Sequence, residues 1–420
     1  MKKLRIVGGK TLCGEVKVQG AKNAALPILA AALLAEGPTQ LYNCPAISDV
    51  TVTLEILKSL GCQVSQKEDC VTLLADNAFH SHISEHLMRR MRSSVIFLGA
   101  LLGRFGEATL SYPGGCQLGP RPIDLHLSSL EKLGAVIQEQ NGQLRCTCSR
   151  PLKGTRVNLT FPSVGATENI LLAACMAQGE TIIEGAACEP EIINLAQFLN
   201  ACGANIQGAG SPMISIQGVK KLRGCCFNIQ SDRIVAATYL ACIALTGGEA
   251  LLANTNIETM GAVIHYLEQA GCRLLTSPGR IYCKAPKRPK SMGLIRTMPY
   301  PGFPTDAQAP MAAVASVAKG TTILVETIFS DRFKYCSELL RMGAKIQLVE
   351  HAAVIQGIPY LQGTSVVAED LRGGAALAAA ALKAEGETLI EGIEHIQRGY
   401  MDLAGDLQCL GADASWVEQN

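Results

Sequence analysis

The residues best suited to chemistry lie in a loop around Cys116. The thiol stands within a glycine- and proline-rich run, Pro113-Gly-Gly-Cys-Gln-Leu-Gly-Pro-Arg-Pro122, which interrupts both helical and strand periodicity. Arg121 follows five residues after the cysteine, and a nearby cation lowers the pKa of a thiol and attracts anionic substrates. We therefore predict a reactive thiol at Cys116, with an ordinary loop and an incidental cysteine as the alternative.

Further candidates stand at the N-terminal flanks of six segments rich in alanine and leucine. The flanks read Gly20-Ala-Lys22-Asn23, Met91-Arg92-Ser93, Pro162-Ser163-Val-Gly165, Ser231-Asp232-Arg233, Pro304-Thr-Asp306 and Glu369-Asp370-Leu-Arg372. A helix N-terminus carries unpaired N–H groups and a partial positive charge, which suit an anion. Capping is the competing role for an aspartate at this position, and we expect it of Asp232 and Asp370. Taken alone, Lys22 fits a surface lysine and Asp306 a helix cap.

Internal repetition indicates which elements hold these residues. A helix-ending pattern recurs six times, at intervals of about seventy residues: apolar residues, then glycine, then alanine or cysteine, then any residue, then an apolar residue. Its glycines are Gly61, Gly134, Gly203, Gly271, Gly343 and Gly411. Each glycine is expected to follow the end of a helix and to precede a strand.

A second repeated feature is a helix that is apolar on nearly every side and is therefore expected to be buried. The six predicted segments are Ala24–Glu36, Ser93–Phe105, Ala166–Gln178, Ile234–Thr246, Ala307–Lys319 and Gly374–Glu385. Three repeats per half predict three buried helices enclosed by three sheets. A solenoid is the alternative, but it would not bury one helix per repeat on every face.

Composition excludes several classes of protein. A chain of 420 residues favours two domains, and its 37 basic and 36 acidic residues leave a charge of +1, which argues against nucleic acid or an anionic membrane as a partner. We find no signal peptide and no apolar run long enough for a membrane span. The 17 cysteines lack zinc spacing and are expected to be free thiols in a cytoplasmic protein.

With these residues in view, the chain resembles the UDP-N-acetylglucosamine 1-carboxyvinyltransferase family of enolpyruvyl transferases along its whole length. The matching motifs are Gly20–Pro27, Pro113–His126, Phe161–Thr167, Glu189–Ile192, Phe303–Asp306, Arg332-Phe333, Asp370–Arg372 and Arg398–Tyr400. The resemblance implies an α/β fold of two inside-out barrels, each of three βαβαββ-like repeats, with the active site in the cleft between them. It also implies a first barrel at residues 22–230 and a second at residues 1–21 with 231–420.

The resemblance implies transfer of enolpyruvate from phosphoenolpyruvate to the 3′-hydroxyl of UDP-N-acetylglucosamine, with release of phosphate, as the first committed step of peptidoglycan synthesis. No metal or other cofactor is implied, and the oligomeric state is left open. Cys116 would be the general acid and Asp306 the general base, with Lys22 and Arg398 as catalytic cations. The implied substrate-binding residues are Lys22, Asn23, Arg92, Arg121, Pro122, Ile123, Asp124, Leu125, Phe161, Pro162, Ser163, Val164, Gly165, Asp306, Ile328, Arg332, Asp370 and Arg372.

Three positions depart from the family pattern. Val235 and Gln397 stand where the family usually has acidic residues, and Cys188 stands where it commonly has arginine. These departures bear on the turnover rate of the enzyme more than on which reaction it catalyses. Two alternatives remain at this point: a shikimate-pathway enolpyruvyl transferase, and a low-activity paralogue that binds a sugar nucleotide.

Overall fold

The computed structural model describes residues 2–114, 123–149 and 151–418. The described chain divides into two compact units, one of residues 20–230 and the other of residues 2–19 together with 231–418. Within the described residues, the chain passes from one unit to the other between Gln19 and Gly20 and again between Gln230 and Ser231.

Three four-stranded sheets form the outer layer of the unit of residues 20–230. In every sheet the first pair of strands is parallel and the other two pairs are antiparallel. In spatial order the sheets are Cys226–Asn228, Pro38–Tyr42, Cys70–Leu74 and Gln63–Lys67; His82–Ile83, Glu107–Ser111, Gln143–Cys148 and Ala135–Gln140; and Arg156–Asn158, Glu180–Glu184, Met213–Gln217 and Asn205–Gln207.

Three central helices fill the interior of this unit: Lys22–Ala32, Phe97–Phe105 and Val164–Ala174. Ten of the eleven residues of Lys22–Ala32 are buried, as the predominance of alanine and leucine predicts. The 3₁₀-helix Arg92–Ile96 leads into the second central helix, and the outer helices are Ser48–Ser59, Glu85–Arg90, Asp124–Lys132 and Pro190–Ala201.

The second unit repeats this architecture with the same strand pairing. Its sheets are Cys13–Lys17, Glu249–Ala253, Arg280–Lys284 and Arg273–Ser277; Leu294–Arg296, Thr321–Val325, Ala352–Gln356 and Lys345–Val349; and Ser365–Val367, Glu387–Glu391, Lys2–Val7 and Asp413–Glu418. Its central helices are Arg233–Thr246, Gln308–Val317 and Leu371–Ala381. The remaining helices are Ile257–Thr259, Gly261–Gln269, Thr305–Ala307, Tyr335–Arg341, Ile393–Ile396 and Leu403–Cys409, of which the first and third are 3₁₀. The predicted fold of three helices within three sheets in each half is therefore confirmed.

The six glycines of the sequence repeat have the predicted role. All six adopt a left-handed conformation, with φ between 84° and 102°, directly after the residue that ends an outer helix. Only glycine enters this region without strain from a Cβ atom. The recurring glycine of the sequence repeat therefore marks the end of each outer helix.

The predicted ends of the central helices are too late in four cases. The first helix ends at Ala32 rather than near Glu36, because Ala35–Glu36 forms a short parallel strand with Leu222–Arg223. The sixth ends at Ala381 for the same reason, since Ala384–Glu385 pairs with Leu361–Gln362. The third and fifth end at Ala174 and Val317, before turns that lead into the next strand. None of the helices in the described ranges has the length and apolar character that a bilayer span requires.

Candidate active site

The carboxylate of Asp306 binds two arginines within the unit that contains residues 231–418. Its Oδ1 accepts a hydrogen bond from Nη2 of Arg332 at 2.7 Å, and its Oδ2 accepts one from Nη2 of Arg372 at 3.0 Å. Both guanidinium groups are buried, with 2% and 4% of the side chain exposed, whereas the Asp306 side chain is 26% exposed. The aspartate therefore presents an oriented carboxylate with access to solvent, and its two partners are fixed in the protein.

Local structure explains why these three side chains meet. Asp306 lies in the 3₁₀-helix Thr305–Ala307, directly before the second central helix of its unit, and Arg332 also donates to the Thr305 carbonyl at 3.1 Å. Arg372 occupies the first turn of the helix Leu371–Ala381. Asp306 is not an N-cap, so the capping alternative for this residue is wrong.

Asp370 caps the helix that carries Arg372. One of its carboxylate oxygens accepts from the backbone nitrogens of Arg372 and Gly373 at 2.9 and 3.0 Å, as expected for an N-cap. Burial lowers the pKa of Arg372, but Asp306, Tyr400 and Asp232 raise it more, so the pKa of this guanidinium is above its ordinary value. Arg372 is therefore a permanent cation.

Lys22 opens the first central helix of the other unit and is buried rather than exposed. Its Nζ lies 2.7 Å from Oδ2 of Asp49, a carboxylate with 2% exposure in the first turn of the helix Ser48–Ser59. The surface-lysine alternative is therefore wrong. Asn23, the next residue, is exposed at the same helix terminus. The sequence analysis missed Asp49, and its place in the first turn of a predicted helix was the only available signal.

Two segments predicted to bind the nucleotide sugar, residues 121–125 and 161–165, meet in the unit of residues 20–230. The first is described from Ile123, which directly precedes the helix Asp124–Lys132, and the second leads into the helix Val164–Ala174. The ring of His126 packs against Gly165, where a Cβ atom would lie 2.8 Å from the imidazole. Nδ1 of His126 also contacts Nδ2 of Asn169 at 2.7 Å.

The exposure of these segments varies along the chain. Ile123 is buried, Leu125 is half-buried and Asp124 is exposed. Phe161 is 44% exposed, and the residues from Pro162 to Gly165 are half-buried. The hydroxyl of Ser163 accepts from the backbone nitrogen of Ala166 at 3.3 Å, so this serine is the N-cap of the third central helix.

The remaining described candidates are Arg92, Ile328 and Arg398. Arg92 is half-buried and opens the 3₁₀-helix that precedes the second central helix of its unit. Ile328 and Arg398 belong to the other unit and are also half-buried. Arg398 follows the short helix Ile393–Ile396, and its backbone nitrogen donates to the carbonyl of His395 at 3.3 Å.

Three predicted site residues, Cys116, Arg121 and Pro122, lie outside the described residues. The positions that depart from the family pattern are described. Val235 is fully buried in the helix Arg233–Thr246, Gln397 is exposed, and the half-buried Cys188 thiol donates to the Ala186 carbonyl at 3.7 Å.

Comparison with known proteins places the chain in a family. Residues 6–407 match the sequence profile of EPSP synthase (3-phosphoshikimate 1-carboxyvinyltransferase). The chain is 50% identical, over 98% of its length and 99% of the relative, to UDP-N-acetylglucosamine 1-carboxyvinyltransferase 2 of Caldanaerobacter subterraneus. It is 48% identical to UDP-N-acetylglucosamine 1-carboxyvinyltransferase 1 of Symbiobacterium thermophilum, over 98% of this chain and 94% of that protein.

Solved structures share the fold at lower identity. The crystal structure of the enolpyruvyl transferase NikO from Streptomyces tendae superimposes with a TM-score of 0.89 at 24% identity, covering 100% of this chain and 99% of the other. EPSP synthase from Acinetobacter baumannii gives 0.76 at 22% identity, with both chains fully covered. This likeness shows the fold. The profile match and the full-length sequence matches show that the chain belongs to the enolpyruvyl transferases, in the UDP-N-acetylglucosamine 1-carboxyvinyltransferase family.

Proposed function

We propose that the protein transfers enolpyruvate from phosphoenolpyruvate to the 3′-hydroxyl of UDP-N-acetylglucosamine and releases phosphate, which is the first committed step of peptidoglycan synthesis. The observation that carries this proposal is identity of 44–50% over nearly the whole chain to relatives that bear this activity in their names. The two compact units are proposed as the two domains, predicted as residues 22–230 and as residues 1–21 with 231–420.

The proposed reaction is an addition followed by an elimination. The sugar hydroxyl loses a proton and attacks C2 of phosphoenolpyruvate while C3 gains a proton, and loss of phosphate with a proton from C3 then restores the double bond. Asp306 is the proposed base. Its carboxylate is partly exposed and is held between Arg332 and Arg372, which supports that role. A positioned base or acid typically contributes about 10²–10⁴-fold to the rate.

Cys116 is the proposed general acid that protonates the vinyl carbon, and its thiolate can also add to phosphoenolpyruvate. The glycine- and proline-rich sequence around it and the cation at Arg121 support this assignment. The proton transfers as proposed use only protein side chains, and the proposed reaction needs no metal or other cofactor.

Phosphoenolpyruvate is proposed to bind Lys22, Asn23 and Arg398. Two substrates with several negative charges require such cations, and preorganised charges often make the largest contribution to catalysis. The Lys22 ammonium group is already oriented by Asp49, so it loses little freedom when the substrate arrives.

The nucleotide sugar is proposed to bind two groups of residues. Its diphosphate suits the N-terminus of the eleven-residue helix that begins at Val164 and Gly165. The other proposed contacts are Arg92, Arg121, Pro122, Ile123, Asp124, Leu125, Phe161, Pro162, Ser163, Asp306, Ile328, Arg332, Asp370 and Arg372. Asp370 contributes mainly by holding the first turn that carries Arg372, as its two backbone hydrogen bonds suggest.

We also propose that the enzyme acts in the cytoplasm. Reducing conditions there keep cysteines as thiols, and the sixteen cysteines within the described residues are free.

Acceptor selectivity tests the proposal against the two alternatives. Phosphate release from phosphoenolpyruvate is measured with UDP-N-acetylglucosamine and, separately, with shikimate 3-phosphate. Release with only the sugar nucleotide supports the proposal, and release with only shikimate 3-phosphate identifies the shikimate-pathway alternative. Tight binding of the sugar nucleotide without phosphate release identifies a paralogue that lacks turnover.

A further inference from the structure

Glu326 follows the strand Thr321–Val325 and has a buried carboxylate, with 3% of the residue exposed. Its Oε1 accepts a hydrogen bond from the Thr297 hydroxyl at 2.9 Å and from the backbone nitrogens of Ile328 and Phe329 at 2.8 and 3.2 Å. This oxygen therefore fixes the backbone of the segment that contains Ile328. A buried carboxylate is tolerated only with such partners, because a charge without them is costly to remove from water.

The other carboxylate oxygen of Glu326 holds the segment that contains Asp306. Its Oε2 accepts from the Thr305 hydroxyl at 2.9 Å and from Nε2 of Gln308 at 3.3 Å. These two residues flank Asp306 closely on either side, and the amide oxygen of Gln308 accepts in turn from the Tyr335 hydroxyl at 2.7 Å. One side chain thus connects the Asp306 turn to the Ile328 segment.

The internal repeat shows that the fold itself does not require a glutamate at this position. In four of the six sheets, the residue that follows the corresponding second strand has a left-handed backbone, with φ between 55° and 72°; these residues are Asn43, Gly185, Asn254 and Gly392. Glu326 and Tyr112 are the two exceptions, and each immediately precedes a segment that holds proposed site residues. Tyr112 precedes the Cys116 loop, and Glu326 precedes Ile328.

We propose that Glu326 is a positioning residue for the transfer reaction, a role that rests on the proposed function. It holds the Asp306 carboxylate and the Ile328 segment in the arrangement that the sugar acceptor requires. It does not contact the reacting atoms. Its contribution appears in kcat and in the KM for the sugar nucleotide, whereas the KM for phosphoenolpyruvate depends on other residues.

Three variants and one control test this role. Glu326→Ala removes both acceptor oxygens, and Glu326→Gln keeps one of them. Thr305→Val removes one of the two contacts to the Asp306 segment and leaves the contact with Gln308. Thr322→Val is the matched control, because Thr322 is fully buried in the same strand and its hydroxyl accepts from the Met292 backbone nitrogen at 3.1 Å. The melting temperature of each variant measures the purely structural cost.

The positioning role predicts that Glu326→Ala lowers kcat by about 10- to 100-fold, because small misplacements of a catalytic group have large effects. The KM for UDP-N-acetylglucosamine rises, the KM for phosphoenolpyruvate is unchanged, and Glu326→Gln and Thr305→Val show smaller losses. Thr322→Val lowers the melting temperature and keeps kcat. If folded Glu326→Ala has the same kcat as Thr322→Val, the inference is wrong.

A crystal structure of each variant separates this inference from the proposed function. Displacement of the Asp306 carboxylate from Arg372 in Glu326→Ala, with no displacement in Thr322→Val, supports the positioning role even if the unaltered protein releases no phosphate. An unmoved Asp306 in Glu326→Ala overturns the role whatever the activity is.

Discussion

Oδ2 of Asp306 accepts a hydrogen bond from Nη2 of Arg372 at 3.0 Å, and 66 residues of sequence separate the two. The contact joins the 3₁₀-helix Thr305–Ala307 to the first turn of the central helix Leu371–Ala381 of the same unit. Its geometry orients the carboxylate that we propose as the base. A charge-assisted hydrogen bond of this kind restricts the side chain more than a contact with water would.

Asp306→Asn tests the base directly. The amide keeps the size of the side chain and one acceptor oxygen but cannot take a proton from the sugar hydroxyl. We expect kcat to fall by about 10²–10⁴-fold, the usual contribution of a general base. Phosphate release measures the rate, and isothermal titration with UDP-N-acetylglucosamine checks that binding persists. Near-normal kcat in a variant that binds normally would assign the base to another residue.

Asp49→Asn tests the buried pair with Lys22. The ammonium group loses an ionised partner at 2.7 Å, so the free energy of unfolding should fall by about 1.5–3 kcal/mol, the range for a hydrogen bond to a charged group. Anionic phosphoenolpyruvate restores a countercharge, and its addition should raise the melting temperature more in the variant than in the unaltered protein. If phosphoenolpyruvate raises the melting temperature equally in the two proteins, Lys22 does not belong to the anion site.

Glu168 gives a prediction about pH and stability. Burial, and then the charges of Glu191 and Glu189, raise the pKa of this glutamate well above its ordinary value of 4.5. The folded state therefore retains a proton that the unfolded state has lost, so stability from this group falls as pH rises from about 4.5 towards the folded-state pKa.

Glu168→Gln removes that dependence. In urea titrations the variant should gain stability relative to the unaltered protein as pH increases over this window, and Glu268→Gln, an exposed change on an outer helix, should follow the unaltered protein. If the difference in the free energy of unfolding between Glu168→Gln and the unaltered protein does not vary with pH, Glu168 has the same pKa in the folded and unfolded states and the prediction is wrong.

Gly99 tests the packing of two central helices. A Cβ atom at this position would lie 2.3 Å from the carbonyl oxygen of Asn169 on the neighbouring helix. Where a helix has open space around it, replacing glycine with alanine raises the free energy of unfolding by roughly 0.5–1 kcal/mol. At Gly99 the added methyl group overpacks the contact, so Gly99→Ala should instead lower the free energy of unfolding by about 1–3 kcal/mol. Gly261→Ala is the control, since its Cβ meets nothing within 4 Å. The urea midpoints of the two variants should move in opposite directions.

The sequence allowed the repeat architecture and the helix caps to be predicted. The six glycines at intervals of about seventy residues mark helix ends, and Asp232 and Asp370 cap helices as expected. These features depend on local backbone chemistry, which short stretches of sequence record.

The pairings within the candidate site could not be predicted in the same way. The contacts of Lys22 with Asp49 and of Glu326 with Thr297 depend on where separate elements meet in the fold. The predicted helix ends that lie beyond the observed ones have a similar cause, because Ala35–Glu36 forms a strand only when Leu222–Arg223 lies beside it. Long-range pairing overrides the helical tendency of these residues.

The most direct test is the structure of the product formed from phosphoenolpyruvate and UDP-N-acetylglucosamine. A carbon–proton NMR correlation that joins C2 of the enolpyruvyl group to the sugar proton at position 3, with one phosphate released per product, is the predicted result. Loss of that product in Cys116→Ser and Asp306→Asn would connect it to the proposed residues. An unaltered, folded protein that forms no such ether, or that forms it on a different acceptor, would contradict the account.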